Sequence, residues 1–271
     1  MYALDFEYDG QYLSDYGFII CDFDASSGSV VADAGSKITF NTVSKNYGKQ
    51  YSLQSATYDE CIETTFAICK NPDVYDDLQI TNDEYRDLVR WLNRREFLKF
   101  QVLDEDDKDR ETCYYEASFN IEKIKISEIL YGLQLTMVTN KPFGYGQEQT
   151  VHWIVNDIER TYLLSDISDE IGYIYPDIEI TITKDGDLTI YNELENSRMV
   201  IKNCKVGEVI TIDGGAQIIS TSLSSHKICN DFNFEFLRIG NTINNRNNRI
   251  TFSLPCKINF KYSPIIKDSP S

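Results

Sequence analysis

A chain of 271 residues, 42% hydrophobic and 25% charged, exceeds the usual size of one domain and has enough apolar residues for two cores. A net charge of −17 argues against a nucleic-acid binder, and a complement of only two histidines, His152 and His226, argues against acid–base chemistry near neutral pH. The longest apolar runs are too short to span a bilayer, no basic-then-apolar leader opens the chain, and seven scattered cysteines form no Cys-x-x-Cys pair, which favours a soluble, cytoplasmically made protein with reduced thiols over a membrane protein, a disulfide scaffold or a zinc site.

In chain order, residues 25–37 are rich in Ser, Gly and Ala and read as an exposed loop or an extended hairpin tip. A helix is expected over about 81–93: Thr81 caps it, Glu84 completes a capping box, and Ile80 staples onto Tyr85. Tyr85, Leu88, Trp91 and Leu92 then share one face as core. Strands follow at 97–103 and 114–126 around the polar run 104–111, which reads as a solvated hairpin tip without the spacing of a calcium loop. Tyr131, Leu133, Leu135 and Met137 alternate in a further strand. The stretch Lys141-Pro142-Phe143-Gly144-Tyr145-Gly146 then reads as a junction, with Gly144-x-Gly146 as a flexible joint, and divides the chain into domains at 1–147 and 148–271.

The second half alternates clearly. Ile178, Ile180 and Ile182, the turn 184–187, then Leu188 and Ile190 predict a hairpin closed by a type I′ turn. Residues 209–212 and 218–219 predict another around Asp213-Gly214-Gly215. Phe232, Phe234 and Phe236 alternate as a later strand, and two more are marked by Ile250, Phe252 and Leu254 and by Ile258, Phe260 and Tyr262, with Pro255 between them. The fold class is mainly β in two domains: an N-terminal β-sandwich or split-barrel-like domain with one helix, and a C-terminal antiparallel β-sandwich.

No catalytic, cofactor or metal site is expected. Gly-x-Ser-x-Gly, a phosphate loop and His-Glu-x-x-His are all missing, and with 43 acidic residues pairs such as Asp169/Glu170 and Glu193/Glu195 arise by chance. The rival to a purely structural role is glycan recognition by Trp153, Tyr173 and Tyr175, with Asn192, Asn203 or Arg198 supplying hydrogen bonds. A glycan-cleaving enzyme is the weaker rival. Charge is uneven: residues 1–150 hold 27 acidic and 14 basic side chains, residues 151–271 hold 16 and 12. Solubility alone accounts for such an excess, and it also suits a surface that DNA must pass without sticking.

The sequence resembles the distal tail proteins of long-tailed bacteriophages. The resemblance rests on the helix ending in Leu88-Val89-Arg90-Trp91-Leu92, on residues 131–137 leading to 141–145, and on Gly172-Tyr173-Ile174-Tyr175-Pro176, residues 207–214 and residues 232–241. It implies a galectin-like C-terminal domain and an N-terminal domain that forms a homohexameric ring, often with a hairpin arm reaching a neighbour. It also implies a place at the virion tail tip after assembly in the host cytoplasm. Its implied partners are the tail tube protein, the tail-tip hub protein and, in addition, receptor-binding proteins or a host cell-wall glycan.

Overall fold

Strands carry most of the described backbone, and along each the side chains alternate between a packed and an open face. The computed structural model describes residues 5–23, 38–45, 48, 50–58, 60–103, 113–156, 158 and 160–267, so the expectations for 25–37 and 104–111 lie outside the described residues. The chain divides into two compact units. One is Met1–Gly146 and takes in the chain again from Ile266; the other is Gln147–Ile265.

The first unit runs β1 (Asp5–Tyr8), β2 (Gln11–Tyr12), β3 (Phe18–Cys21), β4 (Ile38–Lys45), β5 (Gln50–Tyr58), β6 (Glu63–Lys70), α1 (Asn82–Leu92), β7 (Leu98–Leu103), β8 (Tyr115–Ile126), β9 (Ile129–Thr139) and β10 (Gly144–Tyr145). Seven strands form one antiparallel sheet in the order β2-β1-β7-β8-β9-β6-β3, while β4 and β5 pair only with each other. The helix supplies the second layer. Its capping box forms as expected: Thr81 Oγ1 accepts from Glu84 N at 3.3 Å, and Glu84 Oε2 accepts from Thr81 N at 2.7 Å. Leu88, Trp91 and Leu92 are buried and Tyr85 is half-buried, which gives the helix its apolar stripe. The Trp91 ring stacks on Phe6 with centroids 5.7 Å apart, and its Nε1 donates to the Tyr8 carbonyl at 3.1 Å, so the one polar atom of this large ring is satisfied inside the core.

The second unit contains β11 (Gln149–Val155), β12 (Tyr162–Ser165), β13 (Gly172–Ile174), β14 (Asp177–Ile182), β15 (Gly186–Asn192), β16 (Ser197–Cys204), β17 (Val209–Asp213), β18 (Ile218–Thr221), α2 (Ile228–Asp231), β19 (Ile239–Asn241), β20 (Asn247–Phe252) and β21 (Cys256–Tyr262), and β22 (Ile265–Ile266) straddles the boundary. A five-stranded sheet, β11-β21-β14-β17-β18, and a four-stranded sheet, β12-β20-β15-β16, share one core; β13 and β19 form a separate ribbon. Ile178, Ile180, Ile182, Ile258 and Phe260 from one sheet and Leu188, Ile190, Met199, Ile201, Ile250 and Phe252 from the other are fully or almost fully buried. Each such side chain contributes roughly 1.5–3 kcal/mol of burial.

Two expected elements are corrected here. The hairpin predicted around 184–187 is not a hairpin: β14 pairs with β17 and β21, β15 pairs with β16 and β20, and the turn carries the chain from one sheet to the other. Period-two alternation is identical for strands that pair and for strands that face each other across a core, so the pattern could not distinguish them. The turn is held by its carboxylates, with Asp185 accepting from Val206 N at 2.7 Å and Asp187 from Asn203 N at 2.8 Å. The Phe232–Phe236 strand does not form either. Phe234 has φ of 56°, which breaks the extended run, and its neighbours are drawn to the edge of β16: Asn233 accepts from Val200 N at 3.0 Å and Glu235 from Arg198 N at 2.8 Å. Side chains thereby cap an edge that a strand would otherwise extend. The predicted hairpin of β17 and β18 is present.

Candidate interaction surfaces

β4 and β5 form a hairpin of eight and nine residues, about 25 Å long at the usual rise per residue. Neither strand joins the seven-stranded sheet. Tyr51 and Leu53 alternate onto one face and Val43 onto the other, and Phe40, Tyr51 and Leu53 are 62%, 67% and 60% exposed. A two-stranded ribbon without a covering layer is marginal in water, and apolar residues on both faces supply what a partner would bury. The sequence reading missed these strands, although Ile38/Phe40 and Tyr51/Leu53 carry period-two alternation.

The junction motif is packed rather than loose. Gly144 is buried, Tyr145 exchanges backbone hydrogen bonds with Tyr114 at 2.8 Å each way, and a Cβ on Gly144 would collide with the Cys113 sulfur and the Tyr115 ring. The flexible joint expected at Gly144 is therefore corrected: glycine serves there for close approach, not for freedom of rotation.

The three aromatic candidates separate. Trp153 packs on the second core, its centroid 5.1 Å from both Tyr162 and Phe260. Tyr173, 53% exposed, meets Tyr175 edge-on at 5.5 Å and lies under the Arg238 guanidinium at 4.7 Å. Arg238 Nε lies 3.6 Å from Glu195 Oε2. Of the expected polar helpers, Asn192 is fully buried and donates to the Arg238 carbonyl and to Asn248, Asn203 donates to Asp231, and Arg198 stacks on Tyr191.

Both histidines are engaged by neighbouring polar side chains. His152 Nδ1 bonds to Asn259 on the paired strand. His226 is buried, with Nδ1 2.5 Å from Glu208 Oε1 and Nε2 3.3 Å from Asp231 Oδ2. Both ring nitrogens thus face carboxylates. Burial raises the Glu208 carboxyl, but hydrogen bonds from Thr221, His226 and the Lys205 amide outweigh it and hold the group below the ordinary glutamate range. Glu193 is similarly engaged by Arg249 at 3.0 Å. Among the described residues no grouping of His, Cys, Asp and Glu could hold a metal ion, and no helix is long and apolar enough to cross a membrane.

Comparison with known proteins assigns the chain. Across almost its full length, 96% of this chain and 98% of the other, it superposes on the crystal structure of the Dit protein of phage SPP1, described as a hub adsorption apparatus of phages that infect Gram-positive bacteria, with a TM-score of 0.65 at 12% identity. The baseplate of phage p2 matches with a TM-score of 0.50 at 10% identity, over 95% of this chain and 97% of that one. An SPbeta prophage-derived uncharacterized protein, YomH of Bacillus subtilis strain 168, is 26% identical over 182 residues, covering 65% of this chain and 67% of the relative. Residues 1–141 match the phage tail protein N-terminal domain and residues 143–262 the phage tail C-terminal domain, so the chain belongs to this family of phage tail proteins and has the fold of a distal tail protein.

Proposed function

We propose that this tail protein forms a closed homohexameric ring at the distal end of the tail tube, joins the tube to the tail-tip hub, and leaves a central channel for DNA. The observation that carries the reading is the β4–β5 hairpin, which offers apolar side chains on both faces and, among the described residues, pairs with no other strand of its unit. A ring lets each subunit supply the missing layer to the next and closes the set without a free end. The number six comes from the resemblance to distal tail proteins. The acidic excess of residues 1–150 supports a DNA channel, since a wall poor in Lys and Arg releases no counterions from passing DNA.

In this reading residues 1–147 assemble and the C-terminal sandwich is a docking module that works without catalysis. Negative-stain microscopy and light scattering of the purified chain, alone and with tail tube and hub proteins, test it. Rings with a central hole are the expected result, and monomers under every condition would overturn it. A secondary glycan reading rests on Tyr173 and its ring partner Tyr175, with Trp153 packed against the second core.

A further inference from the structure

The sheet of the first unit brings two thiols together across neighbouring strands. The β3–β6 register pairs Ile19 with Cys69 and Cys21 with Ala67, which makes Cys21 and Cys69 diagonal neighbours on one face. This is the face away from the core: Ile20 and Ile68, which alternate with them, pair with each other and are buried. Both cysteines are half-buried and unbridged. Ala67 lies opposite Cys21, Ile19 and Gly132 lie on either side of Cys69, and the Phe23 ring packs over Gly132. β3 is the terminal strand of the sheet, bonded along one side only among the described residues.

We propose that Cys21 and Cys69 form a reversible cross-strand disulfide when the protein meets a disulfide oxidant, tying the terminal strand β3 to β6. The exchange takes two displacements. The Cys69 thiolate attacks one sulfur of the oxidant, which forms a mixed disulfide and expels one oxidant thiolate. Cys21 then loses its proton and its sulfur attacks Cys69 Sγ, closing the protein disulfide and expelling the second oxidant thiolate. Two protein thiols are oxidised and one oxidant disulfide is reduced to two thiols. The order of attack follows from the hydrogen bond between the pair, which holds Cys69 below the ordinary thiol range and, with burial, holds Cys21 above it.

Diagonal partners stand about 7–8 Å apart at Cα, more than the usual disulfide span of about 6 Å. Closure therefore shifts the end of β3 along β6, a movement that a terminal strand permits. Among the other cysteines, exposed Cys229 and buried Cys204 and Cys256 serve as internal references.

The test uses the full chain carrying Cys61→Ser, because the tryptic peptide that ends at Lys70 contains both Cys61 and Cys69. The folded protein is treated with oxidised glutathione, alkylated, digested and read by mass spectrometry. The expected result is that Cys21 and Cys69 are no longer alkylated and appear as a linked pair of peptides, Met1 to Lys37 with Gln50 to Lys70, while exposed Cys229 carries a glutathione adduct, all reversed by dithiothreitol. Adding Cys21→Ser should leave a glutathione adduct on Cys69 with no link, and adding Cys69→Ser should leave Cys21 unmodified while exposed Cys229 still reacts. Full alkylation of Cys21 and Cys69 alongside a glutathionylated Cys229 would overturn the proposal, as would a link that appears only after denaturation.

Discussion

Lys70 shows how one charged side chain is accommodated at the rim of a core. It is 5% exposed, its Nζ lies 2.8 Å from Glu84 Oε1, and the same carboxylate closes the capping box of α1. Removing the cation leaves a carboxylate without its ion partner, so Lys70→Ala should lower stability by about 2 kcal/mol in urea unfolding, reduced from the fully buried case by the partial exposure of Glu84. Burial raises the Glu84 carboxyl, and the bonds from Lys70 and Thr81 outweigh that and depress it; Glu208 is depressed in the same sense. A depressed carboxylate contributes stability that is present above its unfolded pKa and lost as pH falls through its folded one. The urea midpoint should accordingly fall on acidification below about pH 4, and Glu84→Gln or Glu208→Gln should flatten that fall. The aromatic candidates make a contrasting pair: Trp153→Ala should cost about 3 kcal/mol because it empties part of the second core, whereas Tyr173→Ala should change stability by less than about 1 kcal/mol. Equal losses from the two would contradict the separation described above. Sequence alone could not sort them, since an aromatic in a strand reads the same whether its ring meets a core or solvent.

At the scale of elements, the β4–β5 hairpin carries the sharpest expectation. Because Phe40, Tyr51 and Leu53 are exposed, replacing all three with Ser should shift the unfolding midpoint of the isolated subunit by less than about 0.5 kcal/mol in stability while weakening subunit association at least tenfold in light scattering. A loss of fold would mean that the ribbon is part of its own core. Gly144→Ala should act oppositely: it should destabilise the first unit by about 2 kcal/mol through overpacking against Cys113 and Tyr115. Local chemistry was legible where one signal has one outcome. Thr81 and Glu84 specify a helix start, and the stripe from Tyr85 to Leu92 specifies its buried face. It was illegible where one pattern serves two topologies, as in residues 178–190, and where side chains rather than period decide the backbone, as in Asn233 and Glu235. The hairpin strands were hidden for another reason: their apolar residues belong to no core within the unit, so they look too sparse to bury.

For the whole molecule, the division at Gly146 leads to an asymmetric expectation for fragments. A piece spanning residues 147–267 should fold alone, with cooperative unfolding by circular dichroism and resistance to limited proteolysis, because its core draws only on its own strands. A piece ending at 146 should retain the β4–β5 hairpin and with it the capacity to associate. If the C-terminal piece made the ring, the assignment of assembly to residues 1–147 would fall. The chain crosses between the two sheets of the second unit six times, at β11 to β12, β12 to β14, β14 to β15, β16 to β17, β18 to β20 and β20 to β21, which bears on how fast it is made. Neither sheet can be completed from consecutive hairpins, since β11 must find β21 and β12 must find β20 across most of the unit's sequence. Such high contact order places folding in the millisecond-to-second range. The nascent unit must therefore wait for its last strands to be synthesised before either sheet closes, and the half-made chain during that interval is the species most exposed to misassembly.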